Sequence, residues 1–456
     1  MKTIPSAFRL LCLAPLLAWT VSRADPAPDD AAVARTYIPT LERNLRENIL
    51  PFWMHQGLDE KHGGYFMNFG PDGRSKGPAD KYVVGQARTL WFFSHLLRQG
   101  LGGPEHRHAA DLGFDFLQRH LWDDTHGGFW WEVDETGAQV LRPQKHLYGQ
   151  AFALYALSEY FLATHNPEAL ALARRLFDVI ERKAHDATNG GYAEFFNEDW
   201  TPIPVGQVPY LDRHVPREER SDYKLMDTHL HLMEGLTPFY EATRLPLARE
   251  RLLELVTILS NTVVRKNLGA CTGRYAADWT PRLDGDFARV SYGHDLENIW
   301  LLIHACRILD VPNPLRLDVY RSLFDYSIKY GYDAKEGGVY DSGLFNQPAD
   351  QLNKLMWVQA ETATSALHLY RLTGEARALE IFRQTWDFIE RRLVDWKTGE
   401  WHLTVTPEDG PGGDKADAYK GPYHNGRAVM ECLALLQEMA ATSPQERVNA
   451  APSSRP

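Results

Sequence analysis

One turn recurs along this chain at nearly constant intervals, and no other feature restricts its possible folds so strongly. Asp precedes Gly by four residues at Asp59–Gly63, Asp123–Gly127, Asp186–Gly190, Asp333–Gly337 and Asp395–Gly399. A second Gly usually follows, then an aromatic or β-branched residue: HGGYF, HGGFWW, NGGYAEF and EGGVYD, with TGEWHL lacking the second Gly. Asp opens such turns by bonding its side chain to the backbone ahead, and Gly supplies the positive φ that closes them.

The residue after the glycines falls at Tyr65, Phe129, Tyr192, Val339 and Trp401, so the separations are 64, 63, 147 and 62. A divergent copy, GACTGRYAADW, puts Tyr275 in the long gap and splits it into 83 and 64. Six units of about 63 residues result, the third carrying roughly 20 more, and a period of that size outranks local propensity. Each unit holds two stretches with helical apolar spacing. One set is Lys81–Leu97, Lys145–Thr164, Lys224–Thr243, Ser291–Leu309, Leu355–Leu372 and Tyr423–Met439. Its partners are Ala32–Gln56, His106–Leu121, Ala169–Ala184, Leu247–Val264, Pro314–Tyr330 and Glu375–Leu393. Twelve helices in six hairpins cannot bury their apolar faces singly. The expected fold is therefore all-α, a single-domain (α/α)6 barrel over residues 30–440, with an open helical solenoid as the competing arrangement.

Residues 1–24 read as a signal peptide. Lys2 and Arg9 precede an apolar run from Leu10 to Val21, and Ser22-Arg23-Ala24 offers small residues where signal peptidase reads them. The expected location is periplasmic or secreted, with no membrane attachment after cleavage. Removing the segment takes away Lys2, Arg9 and Arg23 and no acid, so the net charge goes from −11 to −14. That balance excludes a general nucleic-acid surface. Only Cys271, Cys306 and Cys432 remain, with no CxxC spacing, so a disulfide framework or zinc–cysteine site is not expected. Residues 202–223 (PIPVGQVPYLDRHVPREERSDY) form a charged, Pro-containing loop, a candidate lid. The tail 441–456 is polar and expected to be disordered.

Ionisable residues gather near the starts of the first helix set. Arg88 stands in GQARTLW, Tyr148 in YGQAFALY, and Asp227 and His231 in KLMDTHLHLMEG. His294 and Glu297 stand in YGHDLENIW, Trp357 and Glu361 in WVQAET, and His424 and Arg427 in KGPYHNGR. Asp227 and His231 are spaced i,i+4 and His294 and Glu297 i,i+3, so each pair shares a helix face. In a barrel of this kind those helix starts converge on one mouth. The pair His229 and His231 is not a chelating pair, because alternate residues of a helix point about 200° apart. No HExxH, P-loop, GxGxxG after a strand, or GxSxG elbow is present. No metal and no cofactor are expected.

These motifs resemble those of the N-acylglucosamine 2-epimerase family, most closely its cellobiose 2-epimerase branch, from about residue 35 to 440. The matches are QAR at 86–88, THLHLME at 228–234, GHDLE at 293–297, WVQAE at 357–361 and KGPYHNGR at 420–427. The resemblance implies a cofactor-free (α/α)6 barrel acting at C2 of a reducing sugar; a monomer or homodimer is expected. It implies His294 and His424 as the catalytic pair: once the ring has opened, His424 would take the C2 proton of a glucose-configured sugar to leave an enediolate, and His294 would return one from the other face. Inversion needs a base on each face, and histidine titrates near neutrality. The resemblance further implies Arg88 as stabiliser of the enediolate oxygens and Glu297 as tuner of His294. His231 and Tyr148 would hold the sugar and assist ring opening, and Trp357 would stack on it; Glu361 completes the implied contacts. Asp227 stands where the branch usually has Asn, and Tyr419 where it usually has Trp. Both bear on the choice between cellobiose- or mannobiose-type disaccharides and free glucose or mannose, and on epimerase against aldose–ketose isomerase activity.

Two other functions use the same fold elements. A glycoside hydrolase or polysaccharide lyase would need paired carboxylates, for which Glu297 with Glu361 or Asp227 are the candidates. A non-catalytic sugar-binding protein would keep the aromatics without needing paired histidines.

Overall fold

The protein's structure, a computed structural model, describes residues 30–203, 223–283 and 287–441. The signal-peptide reading at 1–24, nearly all of the loop at 202–223 and the tail from 442 lie outside the described residues. Among the described residues, twelve principal helices alternate between an inner and an outer ring. The outer helices are α1 (Asp30–Arg43), α3 (Pro104–Phe116), α5 (Pro167–Lys183), α7 (Pro246–Thr257), α9 (Leu317–Gly331) and α11 (Ala376–Phe388). The inner helices are α2 (Val83–Arg98), α4 (Leu147–Thr164), α6 (Met226–Thr243), α8 (Tyr292–Leu309), α10 (Met356–Thr373) and α12 (Tyr423–Ala441). Each inner helix packs on the next, α12 packs back on α2, and α1 covers α12. The ring is closed, which makes the fold an (α/α)6 barrel and rules out the open solenoid.

Burial separates the two rings as the sequence requires. In α5 the buried residues are Ala169, Leu172, Ala173, Leu176, Phe177, Val179 and Ile180. That is one stripe at i, i+3, i+4, and each large aliphatic on it stabilises the fold by about 1.5–3 kcal/mol. In α4 every residue from Gly149 to Tyr160 is buried, because an inner helix touches neighbours on all sides.

The recurring turn joins an outer helix to the next inner one, and its parts have separate tasks. In the first unit Gly63 N–H donates to the Asp59 carbonyl at 2.8 Å, while an Asp59 carboxylate oxygen accepts from the amides of Lys61 and His62. Gly63 and Gly64 have φ of 86° and 72°, conformations that cost a side-chain-bearing residue. The other Asp59 oxygen accepts from buried Lys81 at 2.6 Å, in the short strand that leads into α2. Lys145–Asp123, Lys224–Asp186, Lys354–Asp333 and Lys415–Asp395 repeat the pair.

The fourth unit is built on Cys271, not Tyr275. Bridges link Leu58 to Tyr65, Trp122 to Phe129, His185 to Tyr192, Tyr332 to Val339 and Val394 to Trp401. The corresponding link here is Val264 to Cys271, and Gly269 N–H donates to the Arg265 carbonyl as Gly63 does to Asp59. Measured from Cys271, the long gap divides into 79 and 68 residues. Arg265 occupies the turn Asp position and buried Val290 the Lys position, so this unit lost both partners of the ion pair. The missing Asp signal is why the sequence points four residues too far along.

Candidate active site

Because every inner helix starts from the same lock, equal positions along each helix have equal duties. The fourth residue faces back toward the turn. Gln86 bonds both backbone groups of Tyr65, Gln150 those of Phe129 and Gln359 those of Val339, all at 2.7–2.9 Å. His229 accepts from Tyr192 N–H at 3.0 Å, and Asp295 accepts from Cys271 N–H at 3.1 Å. The sixth residue faces the barrel axis: Arg88, Phe152, His231, Glu297 and Glu361. In α12 these roles fall to Asn425, which donates to Glu400, and to Arg427. His229 and His231 thus point in opposite directions, one into the wall and one inward.

At the mouth the inward residues line a cavity of about 740 Å³, within the range of small-molecule sites. Its walls include Arg88, Tyr148, Asp227, His231, His294, Glu297, Trp357, Tyr419 and His424. Nine of the ten residues expected at the site are therefore brought together. Glu361 is not on the wall; it is buried behind His424. The Trp357 ring centroid lies 4.8 Å from that of His294 and 5.7 Å from that of His424, so the two imidazoles flank one indole.

The two histidines are held differently. His424 Nδ1 lies 2.7 Å from Glu361 Oε1. Burial would raise the Glu361 pKa, but the Arg427 guanidinium and His424 outweigh it and bring it to about 2. A carboxylate only accepts, so His424 carries its proton on Nδ1 and leaves Nε2 as the free lone pair. Trp300 Nε1 donates to the other Glu361 oxygen at 2.8 Å and fixes its plane. His294 Nδ1 instead meets the Ser291 hydroxyl at 2.8 Å, which can donate or accept. Its expected partner Glu297 makes no such bond; Glu297 Oε1 accepts from Arg427 at 2.6 Å, and Oε2 has no protein partner among the described residues. Ser291 was legible as i−3 from His294 but lies one residue before the helix. Burial lowers the pKa of both histidines, His424 to about 3. Asp227 and Asp341, close to His294, partly oppose its shift. Asp341 carries no sequence signal beyond following a turn.

Below this layer, Arg427 joins the carboxylates. Its Nη2 donates to Glu297 and to Glu361 at 2.8 Å, and its Nη1 to Glu234. Glu234 also accepts from the Tyr423 hydroxyl and lies 2.9 Å from His231 Nδ1, which is i−3 on α6. The same i,i+3 spacing sits in THLHLME, so this pair was readable. Burial, then Glu361, raises the Glu297 pKa to about 7. Arg88 spans the opposite side: Nη1 donates to the Tyr419 carbonyl at 3.0 Å and Nη2 to the Tyr148 hydroxyl at 2.8 Å.

Among the described residues three triads bring potential metal-ligand atoms within 4.8 Å: His231, His294 and Glu297, then Glu297, Glu361 and His424, and, away from the cavity, Asp123, His126 and Glu198. In the second, both carboxylates already accept from the Arg427 cation, which opposes a dication there. Cys271, Cys306 and Cys432 are free and buried, and none of them lies in such a group among the described residues. Among the described residues no helix is long and apolar enough to cross a membrane.

The family profile described as N-acylglucosamine 2-epimerase (GlcNAc 2-epimerase) matches residues 64–428. A cellobiose 2-epimerase of Bacteroides fragilis is 31% identical over 396 residues, covering 86% of this chain and 97% of that protein. The D-mannose isomerase of Marinomonas mediterranea is 25% identical, covering 86% of this chain and 95% of that one. The solved structure of cellobiose 2-epimerase from Spirochaeta thermophila superposes with a TM-score of 0.79 at 33% identity, covering 90% of this chain and 98% of that one.

Proposed function

The chain belongs to the N-acylglucosamine 2-epimerase family, a sugar epimerase or isomerase, and we propose that it inverts C2 of a reducing sugar by proton transfer between His424 and His294. The observation that carries this reading is the pair of imidazoles flanking Trp357, with the Nδ1 atom of each already engaged. Both then present Nε2 to one space. An opened aldose over the indole offers its C2 proton to His424 Nε2. The C–H electron pair forms C1=C2, and the former carbonyl oxygen becomes the enediolate oxygen. Arg88 supplies charge-assisted donors there, turning from the Tyr419 carbonyl and the Tyr148 hydroxyl it holds in the free site. His294, in the imidazolium form that Asp227 and Asp341 favour, returns its Nε2 proton to the opposite face of C2 as the C1 carbonyl reforms and is left as the neutral imidazole. The reverse reaction exchanges the roles, and protonation at C1 instead would release the ketose. The imidazolium formed on His424 is stabilised by Glu361, whose charge Arg427 maintains.

Relatives named for cellobiose and for mannose support two substrate classes, β-linked disaccharides and the free hexoses. Incubating the protein with cellobiose, mannobiose, glucose and mannose in D2O tests the proposal. Deuterium at C2 with chain length unchanged is expected; release of monosaccharides from the disaccharides would instead establish hydrolysis. His424→Ala and His294→Ala should each abolish the exchange. Export rests on residues 1–24 alone, and a mature N-terminus at Asp25 on protein recovered outside the cytoplasm would support it.

A further inference from the structure

His146 stands on the cavity wall in the two-residue strand that leads into α4. It is 6% exposed, yet neither ring nitrogen has a hydrogen-bond partner among the described residues. The nearest acid, Glu194, lies 3.9 Å from Nε2, beyond hydrogen-bond reach. Its ring is held between Phe195 at 4.5 Å, Trp131 at 5.2 Å and Tyr148 at 5.8 Å between centroids. The strand pairing of His146 with Phe195 fixes the backbone beneath it. The side chain is therefore rigidly placed with its polar edge unused. A buried polar group left unpaired costs about 1–3 kcal/mol, and phenylalanine would fill the same aromatic slot without that cost. A burial-lowered pKa of about 3 keeps the ring neutral, so it offers one donor and one acceptor, as a sugar hydroxyl also does.

Topology says which part of a substrate it would meet. In the ring of inner helices α4 lies three steps from α10, which carries Trp357, so His146 and Trp357 stand on opposite walls. His294 on α8 and His424 on α12 each lie two steps from α4. A sugar with C2 between the histidines and over Trp357 extends its remote end toward α4.

We propose that His146 is a specificity-determining residue that hydrogen-bonds a hydroxyl at the end of the sugar remote from C2. This rests on the sugar-epimerase reading of the cavity. Two variants test it, His146→Phe, which keeps the stacked ring, and His146→Gln, which keeps a donor and an acceptor. With cellobiose and mannose in D2O, His146→Phe should raise KM about tenfold with kcat within about twofold, and His146→Gln should recover most of the loss. An unchanged KM in a His146→Phe protein with wild-type circular dichroism overturns the assignment. Calorimetric titration of both sugars separates the two ideas. Wild-type binding without C2 exchange defeats the epimerase reading alone, and loss of that binding in His146→Phe still supports the role of His146. Equal binding by wild type and His146→Phe, or no binding of either sugar by the wild type, overturns it.

Discussion

His424 and His294 would act on opposite faces of one enediolate, yet one imidazole leans on a buried carboxylate and the other on a hydroxyl. Removing the charge behind His424 should therefore cost more than removing the hydroxyl behind His294. Glu361→Gln keeps an oxygen to accept from Nδ1 but gives no charge to an imidazolium, and kcat should fall about 100-fold with KM little changed. Ser291→Ala should cost about tenfold. Steady-state kinetics in both directions checks the order, and a larger loss for Ser291→Ala would contradict the inequality. Glu297 makes a separate prediction about stability. Its folded pKa of about 7 lies above its ordinary value because burial and Glu361 disfavour the charged form. A carboxyl raised on folding destabilises the protein increasingly as pH rises from its unfolded pKa to the folded one, roughly 4.3 to 7. The Tm difference between Glu297→Gln and wild type should accordingly grow in the variant's favour between pH 4.5 and 7, and stay constant above it. A difference independent of pH would show that Glu297 keeps an ordinary pKa in the folded chain.

At the scale of the elements, the lock between turn and helix is what made the fold readable from the sequence. Asp, Gly and an apolar residue must sit at set offsets because the Asp carboxylate, the positive φ and the bridge each occupy one position. Their period survives divergence everywhere but the fourth unit, where Arg265 and Val290 replace the ion pair and the reading slipped to Tyr275. The buried lysines were invisible as partners, since a Lys 20 to 38 residues beyond an Asp carries no local signal. Lys145, fully buried against Asp123 at 2.8 Å, shows what that pairing is worth. Lys145→Met leaves a buried carboxylate without its cation and should destabilise the protein by about 3 kcal/mol in urea unfolding. The fourth unit indicates the remedy: Asp123→Asn combined with Lys145→Val should recover more than half of the loss. Additive losses in the double variant would mean that the two side chains do not act as a pair.

The whole barrel has two ends, and only one was legible as a site. Residues at the mouth announced themselves because helix starts with His, Glu, Arg and Tyr depart from an otherwise apolar inner set. Their grouping could be inferred from the repeat, but the partner of each could not, because Glu361 and His424 come from different helices 63 residues apart. At the far end a second polar group closes the barrel. His95 lies 2.7 Å from Glu159 and 3.5 Å from Glu431, and Arg98 donates to Glu159 and Glu241. His368 approaches Glu431 from α10 at 3.8 Å, so four inner helices meet through these contacts, with Arg98 adding α6 through Glu241. Burial alone would lower the His95 pKa, but Glu159 and then Glu431 raise it to about 9. A histidine raised on folding contributes stability that is fully present below its unfolded pKa near 6.5 and is lost as pH rises through 9. The wild-type Tm should thus fall between pH 7 and 9.5, and His95→Gln should be less stable at pH 7 but flatter over that range. Equal slopes for the two proteins would assign the alkaline loss to other groups and leave His95 neutral in the folded barrel.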